Sequence, residues 1–237
     1  REFVATASHE LRTPLASLEG MLELLRDDLG DERPDLEDAR ALVERAHAQA
    51  RRLGRLASDL LDLSRIDAQV RLRSEPVELG ELCRAVLAEF ELRGEQRGVV
   101  VVLREAGVAV WALGDPGSVA QIVRILLDNA LRVSPVGGRV EVVLGCGGVA
   151  SLSVCDWGPG VAVDEREVIF ERFHRGRDTG GEAGFGLGLA IGRELARRMG
   201  GELVLEDGPP EGAVSGAVFT LRLPLAPAAD HETLAAA

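Results

Sequence analysis

The first 75 residues show the hydrophobic pattern of two long helices. In the first helix, apolar residues recur at alternating spacings of four and three, which is a heptad seam. The seam comprises Val4, Ser8, Leu11, Leu15, Leu18, Leu22, Leu25 and Leu29. After the polar stretch GDERPD (residues 30–35), a second helix is predicted from about Leu36 to Leu72.

Two such helices in an antiparallel hairpin cannot cover each other's apolar faces alone. A homodimer that closes a four-helix bundle would bury these faces. The alternative is a monomeric hairpin that packs on the rest of the chain. The pattern favours the dimer.

From residue 74 onward the helical pattern gives way to a mixed one, and SEPVE (residues 74–78) is interpreted as a hinge. Helices are predicted at 78–92, 116–133 and 187–199, and strands at 99–104, 108–113, 139–145, 149–155, 202–207 and 216–223. This order predicts a mixed sheet with helices on one face, an α/β sandwich. The expected class is therefore α+β, with domains at 1–75 and 76–225 and a disordered tail at 226–237.

Composition and charge exclude several classes of partner. The formal net charge is −12, so the basic footprint of a nucleic-acid-binding protein is missing. All 27 basic residues are arginine. No apolar run is long enough to span a membrane and no signal peptide is recognisable, so we expect no membrane contact and a cytoplasmic location. The chain opens within a helical pattern, which suggests a fragment of a longer protein in which a sensor or membrane segment could lie upstream.

The three cysteines, Cys83, Cys146 and Cys155, have apolar neighbours and no CxxC spacing. We interpret them as small buried residues in a reducing compartment, and not as metal ligands or a disulfide framework.

His9 is the first candidate for chemistry. It lies just off the seam, on the solvent side, with Thr13 one turn later on the same face. Pro14 distorts the helix nearby. A neutral imidazole can attack phosphorus, and the nearest acceptor for its other ring proton is Glu10. The alternative is a solvated surface histidine.

Asn129, the single asparagine of the chain, falls within an amphipathic helix. Its amide oxygen can bind Mg²⁺ without adding charge. Arg132 follows at i+3, on the same face, where it can reach a phosphate. Either residue could instead be an ordinary surface polar group.

Two glycine-rich stretches suggest close approach of a ligand to the backbone. In the first, a strand delivers Asp156, which can accept a hydrogen bond from an amino group such as that of adenine, followed by Gly158 and Gly160. In the second, GFGLGL precedes a helix whose first N–H groups can hold phosphates. No Rossmann fingerprint or P-loop context surrounds it.

Between these stretches, residues 168–184 are predicted to form a mobile lid. Phe170 and Phe173 would anchor its start, and Arg172 and Arg175 could meet phosphates.

Taken together, these motifs resemble those of the sensor histidine kinases of two-component signalling, from Phe3 to about Leu225. SHELRTPL (8–15) resembles the H box, LLDNALRVSP (126–135) the N box, DWGPG (156–160) the first glycine box, FERF (170–173) the F box and GFGLGL (184–189) the second glycine box. Four motifs in this order behind a heptad hairpin that carries the H box make the resemblance specific.

The resemblance implies a dimeric helical bundle followed by a Bergerat-type ATP-binding domain, with ATP and Mg²⁺ as ligands. It makes His9 the phosphoacceptor, Glu10 the acid–base residue and Asn129 the metal ligand, and it links Thr13 to dephosphorylation of a response-regulator receiver domain, the expected partner. The implied nucleotide-binding residues are Asn129, Arg132, Asp156, Gly158, Gly160, Arg172, Arg175, Gly184, Gly186, Leu187 and Gly188.

The sequence departs from the family pattern at four positions. Ile125 replaces a second Asn, Arg132 and Val133 replace a Lys and a Tyr, and His174 replaces an aromatic residue. Ile125 and Val133 support one alternative to a kinase, a degenerate, non-catalytic dimer scaffold. A second alternative is an ATP-hydrolysing clamp of the gyrase and heat-shock-chaperone type, which shares the nucleotide-binding fold.

Overall fold

The computed structural model describes residues 2–30, 35–105, 107–176, 184–208 and 215–227. The chain divides into two units, Arg1–Ala68 and Gln69–Ala237. Three predicted features fall partly outside the described residues: the stretch between the first two helices (31–34), the lid (177–183) and the tail (228–237).

The first unit is a pair of helices, α1 (Glu2–Gly30) and α2 (Leu36–Asp67), that pack against each other. The carboxylate of Asp35 caps α2 by accepting from the N–H groups of Glu37 and Asp38, at 2.9 and 3.2 Å. The buried residues of α2 recur every third or fourth position or at multiples of that spacing, namely Ala39, Ala46, Leu56, Leu63 and Ile66. The seam predicted on α1 is used in part between the two helices, since its residues Leu11, Leu18 and Leu25 are partly buried.

A second apolar stripe remains exposed on each helix. On α1, Leu15, Leu22 and Leu29 recur every seven residues and are 48%, 49% and 52% exposed. On α2 the exposed apolar residues include Leu36, Val43 and Leu61. The described hairpin therefore leaves part of the predicted seam uncovered.

The second unit contains a five-stranded sheet of order β2-β4-β5-β7-β6. Its strands are β2 (Val100–Arg104), β4 (Arg139–Cys146), β5 (Ala150–Asp156), β6 (Glu202–Leu205) and β7 (Ala217–Leu223). β2 pairs with β4 in parallel, and the other pairs are antiparallel. A separate antiparallel pair joins β1 (Glu75–Glu78) to β3 (Trp111–Gly114).

Helices α3 (Leu79–Ala88), α4 (Glu91–Arg97), α5 (Pro116–Val133) and α6 (Gly188–Arg198) complete this unit, with two short 3₁₀ turns at Val163–Glu165 and Val168–Phe170. The central helix α5 begins as predicted: Asp115 accepts from the N–H of Ser118 at 2.8 Å, and Pro116 occupies the first turn. One face of α5 is buried by apolar residues such as Ile122, Leu126 and Leu127. The predicted α+β class, a helical hairpin followed by an α/β sandwich, is confirmed.

Three details differ from the sequence-based expectations. The predicted hinge at 74–78 contributes strand β1, because its residues pair with β3. Helix α2 ends at Asp67, since Gln69 has a positive φ of 51° that a continuing helix cannot accommodate. The helix predicted at 78–92 is broken near Phe90, which is buried between α3 and α4.

The cysteine prediction was right at two positions and wrong at the third. Cys83 and Cys155 are buried, whereas Cys146 is exposed because it ends β4 at the hairpin turn. All three are free thiols. Among the described residues, no helix has both the length and the apolar character that a membrane crossing requires.

Candidate active site

One face of α5 organises the predicted motifs of the second unit. Ile125, Asn129 and Val133 follow at i, i+4 and i+8 and therefore share this face. A methyl group at Gly188 would lie 3.1 Å from Cγ2 of Ile125, and one at Gly158 would lie 2.9 Å from Cγ2 and the carbonyl oxygen of Val133. Asn129 thus sits on α5 between the contact points of the two glycine boxes.

Asp156, the last residue of β5, is only 3% exposed. Its Oδ1 accepts from the backbone N–H groups of Gly158 at 2.9 Å and Ala217 at 3.3 Å. Its Oδ2 accepts no hydrogen bond from the described residues. The carboxylate is therefore fixed through one oxygen and has the other to offer to a ligand.

Burial raises the pKa of Asp156 to about 6, against the lowering effect of the hydrogen bonds from Gly158 and Ala217. The group is ionised at neutral pH, but in a site that disfavours its charge. An external N–H donor, such as the exocyclic amino group of a purine, would compensate for that cost.

Arg132 lies beside Asn129, as its spacing predicted. The Nη2 of Arg132 donates to Oδ1 of Asn129 at 3.0 Å, and both side chains are partly buried. Burial lowers the pKa of Arg132, while Asp128 raises it and Arg97 lowers it. A partly desolvated guanidinium on this face is suited to bind an anion.

The residues present fit a magnesium ion that is shared with a nucleotide. No group of three or more His, Cys, Asp or Glu in the described ranges could hold a metal by itself. Mg²⁺ commonly takes only one or two protein ligands and completes its shell with phosphate oxygens and water. The amide oxygen of Asn129 has the chemistry of such a ligand and lies close to the glycine boxes.

The second glycine box is attached to the end of the F box. The N–H of Phe173, whose φ is 66°, donates to the carbonyl oxygen of Gly186 at 2.8 Å. Gly186 itself has a φ of 70°, and a methyl group there would lie 2.1 Å from the carbonyl oxygen of His174. Only glycine permits both this backbone conformation and this approach.

The other predicted residues of this region lie around the same loops. Phe170 contacts Phe219 edge to face, with ring centroids 6.2 Å apart, which supports its predicted anchoring role. Arg175 lies over the ring of Phe185 at 5.8 Å. The remaining predicted residues are Arg172 and Gly184, which are exposed, Gly160, which is partly buried, and Leu187, which is buried.

His9 belongs to the first unit and is exposed on α1, as predicted. Thr13 is exposed one turn later, and Glu10 is partly buried. Pro14 is buried on the side toward α2, where its carbonyl oxygen accepts from Nε2 of Gln49 at 3.3 Å. The proline therefore packs inward while the imidazole faces solvent.

Two backbone groups near Asp156 and Gly160 were not predicted from the sequence motifs. The amide of Ala217 holds Asp156, and the carbonyl of Gly216 lies 2.8 Å from where a methyl group on Gly160 would be. These contacts arise because Asp156 and Ala217 are register partners in the sheet. No side-chain pattern marks them, so only strand pairing could have revealed them.

Two family models match the chain. Residues 1–69 match the model described as "His Kinase A (phospho-acceptor) domain". Residues 114–227 match the model described as "Histidine kinase-, DNA gyrase B-, and HSP90-like ATPase". The first range contains His9, and the second contains Asn129 and Asp156.

Curated proteins and solved structures give the same picture. The signal transduction histidine-protein kinase/phosphatase MprB of Mycobacterium ulcerans is 36% identical over 232 residues, which are 96% of this chain and 44% of that protein. The chain thus spans a little under half the length of this relative.

Among solved structures, the histidine kinase AdeS of Acinetobacter baumannii has a TM-score of 0.70 at 27% identity, covering 92% of this chain and 98% of that one. The mycobacterial sensor histidine kinase MprB has a TM-score of 0.58 at 32% identity, covering 65% and 99%. The histidine kinase ThkA, solved in complex with the response regulator protein TrrA, shares the fold with a TM-score of 0.72 at 20% identity, covering 95% and 61%.

The buried charge of Asp156 generates a prediction about stability and binding. We expect Asp156→Asn to raise the free energy of unfolding at pH 8 by about 2–3 kcal/mol, because the variant removes a carboxylate whose pKa is raised to about 6. Protonation of the wild type is favoured by folding, so this advantage should shrink below pH 6 and vanish near pH 4. The same variant should weaken adenine-nucleotide binding. Urea unfolding followed by tryptophan fluorescence measures the first effect, since Trp111 and Trp157 both lie in the second unit.

Asp207→Asn is the matched control, because its side chain is fully exposed and makes only a surface ion pair with Arg166. It should leave the free energy of unfolding almost unchanged at either pH, since surface substitutions away from special features have little effect on stability. If Asp156→Asn did not raise the free energy of unfolding at pH 8, or raised it equally at pH 8 and at pH 5, the buried charge of Asp156 would not destabilise the wild type.

The close approach of Gly186 to the carbonyl oxygen of His174 leads to a second prediction. Gly186→Ala should weaken nucleotide binding by roughly tenfold or more, since a methyl group must displace the His174 carbonyl and costs about 1–2 kcal/mol in the left-handed region. Gly147→Ala is the control, because Gly147 lies in the turn after β4, outside the proposed nucleotide-binding residues, and nothing lies within 4 Å of the added group. Titration with a fluorescent ADP analogue compares the two variants. If the two variants bound the ADP analogue with equal affinity, the contact between Gly186 and His174 would not shape the nucleotide site.

Proposed function

We propose that this chain, which belongs to the sensor histidine kinases, transfers the γ-phosphoryl group of ATP to His9 and then to an aspartate of a response regulator. The observation that carries the proposal is the placement of Asn129 between two glycine turns, in the unit that also holds the buried carboxylate of Asp156. The exposed imidazole of His9 in the other unit supplies the acceptor.

Each part of the nucleotide has a counterpart in the second unit. Asp156 accepts from the adenine amino group through its unused Oδ2, and Gly158 and Gly160 allow the base to approach the backbone. The N–H groups at the start of α6, around Gly188, and the guanidinium of Arg132 face the phosphates. We assign Arg172 and Arg175 to the phosphates as well. Mg²⁺ on Asn129 would neutralise phosphate charge.

The transfer needs one nucleophile and one proton acceptor. A ring nitrogen of His9, Nε2 by family analogy, attacks the γ-phosphorus through its lone pair, the bond to the β,γ-bridging oxygen breaks, and ADP departs with that electron pair. Glu10 accepts the proton from the other ring nitrogen. Since adjacent helical residues do not face each other, Glu10 must turn back toward the ring for this step.

We assign the first unit, within the proposed 1–75 domain, to dimerisation and phosphotransfer. The exposed leucines of α1 and α2 support a homodimer in which two hairpins close one four-helix bundle. Thr13, exposed one turn from His9, is the proposed site for dephosphorylation of the regulator. The proposed location is the cytoplasm, where ATP and response regulators are found.

The packing of Ile125 and Val133 bears on the scaffold alternative. Both departures from the family pattern contact a glycine box and leave Asn129 and Asp156 in place. This arrangement favours an active kinase over a degenerate one. The clamp alternative predicts net ATP hydrolysis without a phosphoprotein, and it gives the exposed His9 no role.

The assignment of His9 is tested by substitution. His9→Gln should abolish incorporation of acid-labile, base-stable phosphate from γ-labelled ATP, because the amide has no nucleophilic ring nitrogen, while ATP affinity stays unchanged. His47→Gln is the matched control, since His47 is also exposed on the hairpin but pairs with Arg51 on α2. Label that persists in the His9 variant, or is lost in the His47 variant, would refute the assignment.

The proposed dimer is tested on the exposed stripe. Leu22→Glu should shift the chain from dimer to monomer at micromolar concentration, because it places a charge in the apolar contact. Leu24→Glu is the control: Leu24 is 61% exposed on the same helix but lies off the heptad stripe. Analytical ultracentrifugation distinguishes the two. If both variants sedimented in the same oligomeric state, this stripe would not be the dimer interface.

A further inference from the structure

The contact between Arg132 and Asn129 has a consequence for how the site admits its ligands, if the proposed nucleotide function holds. The oxygen assigned to the metal, Oδ1 of Asn129, already accepts from Nη2 of Arg132 at 3.0 Å. A cation on that oxygen would lie within a few ångströms of the guanidinium charge, where like charges repel strongly. The two interactions therefore oppose each other.

Arg132 has no carboxylate of its own in the described part of the chain. Asp128, whose charge acts on Arg132, is ion-paired with Arg93. Arg124, on the same helix, does have a carboxylate partner: it donates to both carboxylate oxygens of Glu89, at 2.7 and 2.6 Å. A partly buried guanidinium with only an amide oxygen as partner retains a strong preference for an anion.

We propose that Arg132 is a positioning residue that covers the oxygen of Asn129 until the phosphates of a nucleotide draw it away. The metal ligand is then exposed only in a site that already holds phosphate. The site thereby selects a phosphate-bearing nucleotide together with its cation, over free Mg²⁺ or a nucleoside without phosphates.

If Arg132 covers the oxygen of Asn129 in this way, removing the Asn129 side chain should increase the affinity for ADP in the absence of Mg²⁺. In EDTA, ADP binding to the wild type must break the bond between Arg132 and Asn129. Asn129→Ala removes that bond in advance, so its affinity for ADP in EDTA should rise by roughly two- to tenfold, the worth of one net hydrogen bond. Adenosine, which has no phosphates to attract Arg132, should bind both proteins equally.

Calorimetric titration of ADP and adenosine in EDTA, then of ADP in Mg²⁺, tests this directly. In Mg²⁺ the sign should reverse, and Asn129→Ala should bind ADP more weakly than the wild type. In an Arg132→Met background the gain in EDTA should disappear, since there is no guanidinium left to release. Arg124→Met, on the same helix but paired with Glu89, is the matched control and should leave all affinities unchanged.

The outcomes separate this inference from the proposed function. If no variant and not even the wild type binds ADP, the function itself fails. If the wild type binds ADP but Asn129→Ala loses affinity or is unchanged in EDTA, the inference is overturned while the function stands. Asn129→Ser, whose hydroxyl is too short to reach Arg132, should repeat the gain and covers the case of an alanine variant that does not fold.

Discussion

The nucleotide site depends on how closely two glycine turns can approach one face of α5. At Gly158 and Gly188 even a methyl group would lie about 3 Å from a side chain of this helix. Larger residues would push the turns outward and separate Asn129 from the loops that surround it. The close packing thus fixes Asn129, the proposed metal ligand, relative to the carboxylate of Asp156 and the start of α6.

This packing also accounts for two of the four residues at which the chain departs from the family pattern. Ile125 and Val133 are apolar where the family often has polar groups, and each fills the space beside a glycine. Between these two apolar residues lies Asn129, which accepts a hydrogen bond from Arg132. Because Ile125 and Val133 cannot contact a ligand through polar groups, the proposed nucleotide binding on this face depends more strongly on Asn129, Arg132 and the hydrogen bond between them.

Sequence reasoning located what side chains signal and missed what the backbone supplies. The capping pair Asp115 and Pro116 predicted the start of α5 because both act locally. The left-handed backbone at Phe173 was not predictable, since a bulky residue there gives no sign of a positive φ. The role of Ala217 depends on strand register, which is set by distant pairing and not by its own type.

The first helix shows how one element can serve three needs at once. At roughly 100° per residue, Ala7 and Pro14 fall on the face toward α2, Leu15 falls to one side of it, and His9 falls nearly opposite. The buried face provides cohesion, the leucine stripe remains for a second hairpin, and the imidazole stays in solvent. A proline is tolerated here because it faces inward, where packing against α2 can compensate for the missing backbone hydrogen bond. The same placement leaves His9, the proposed phosphoacceptor, on the exposed face of the helix, away from both apolar contacts.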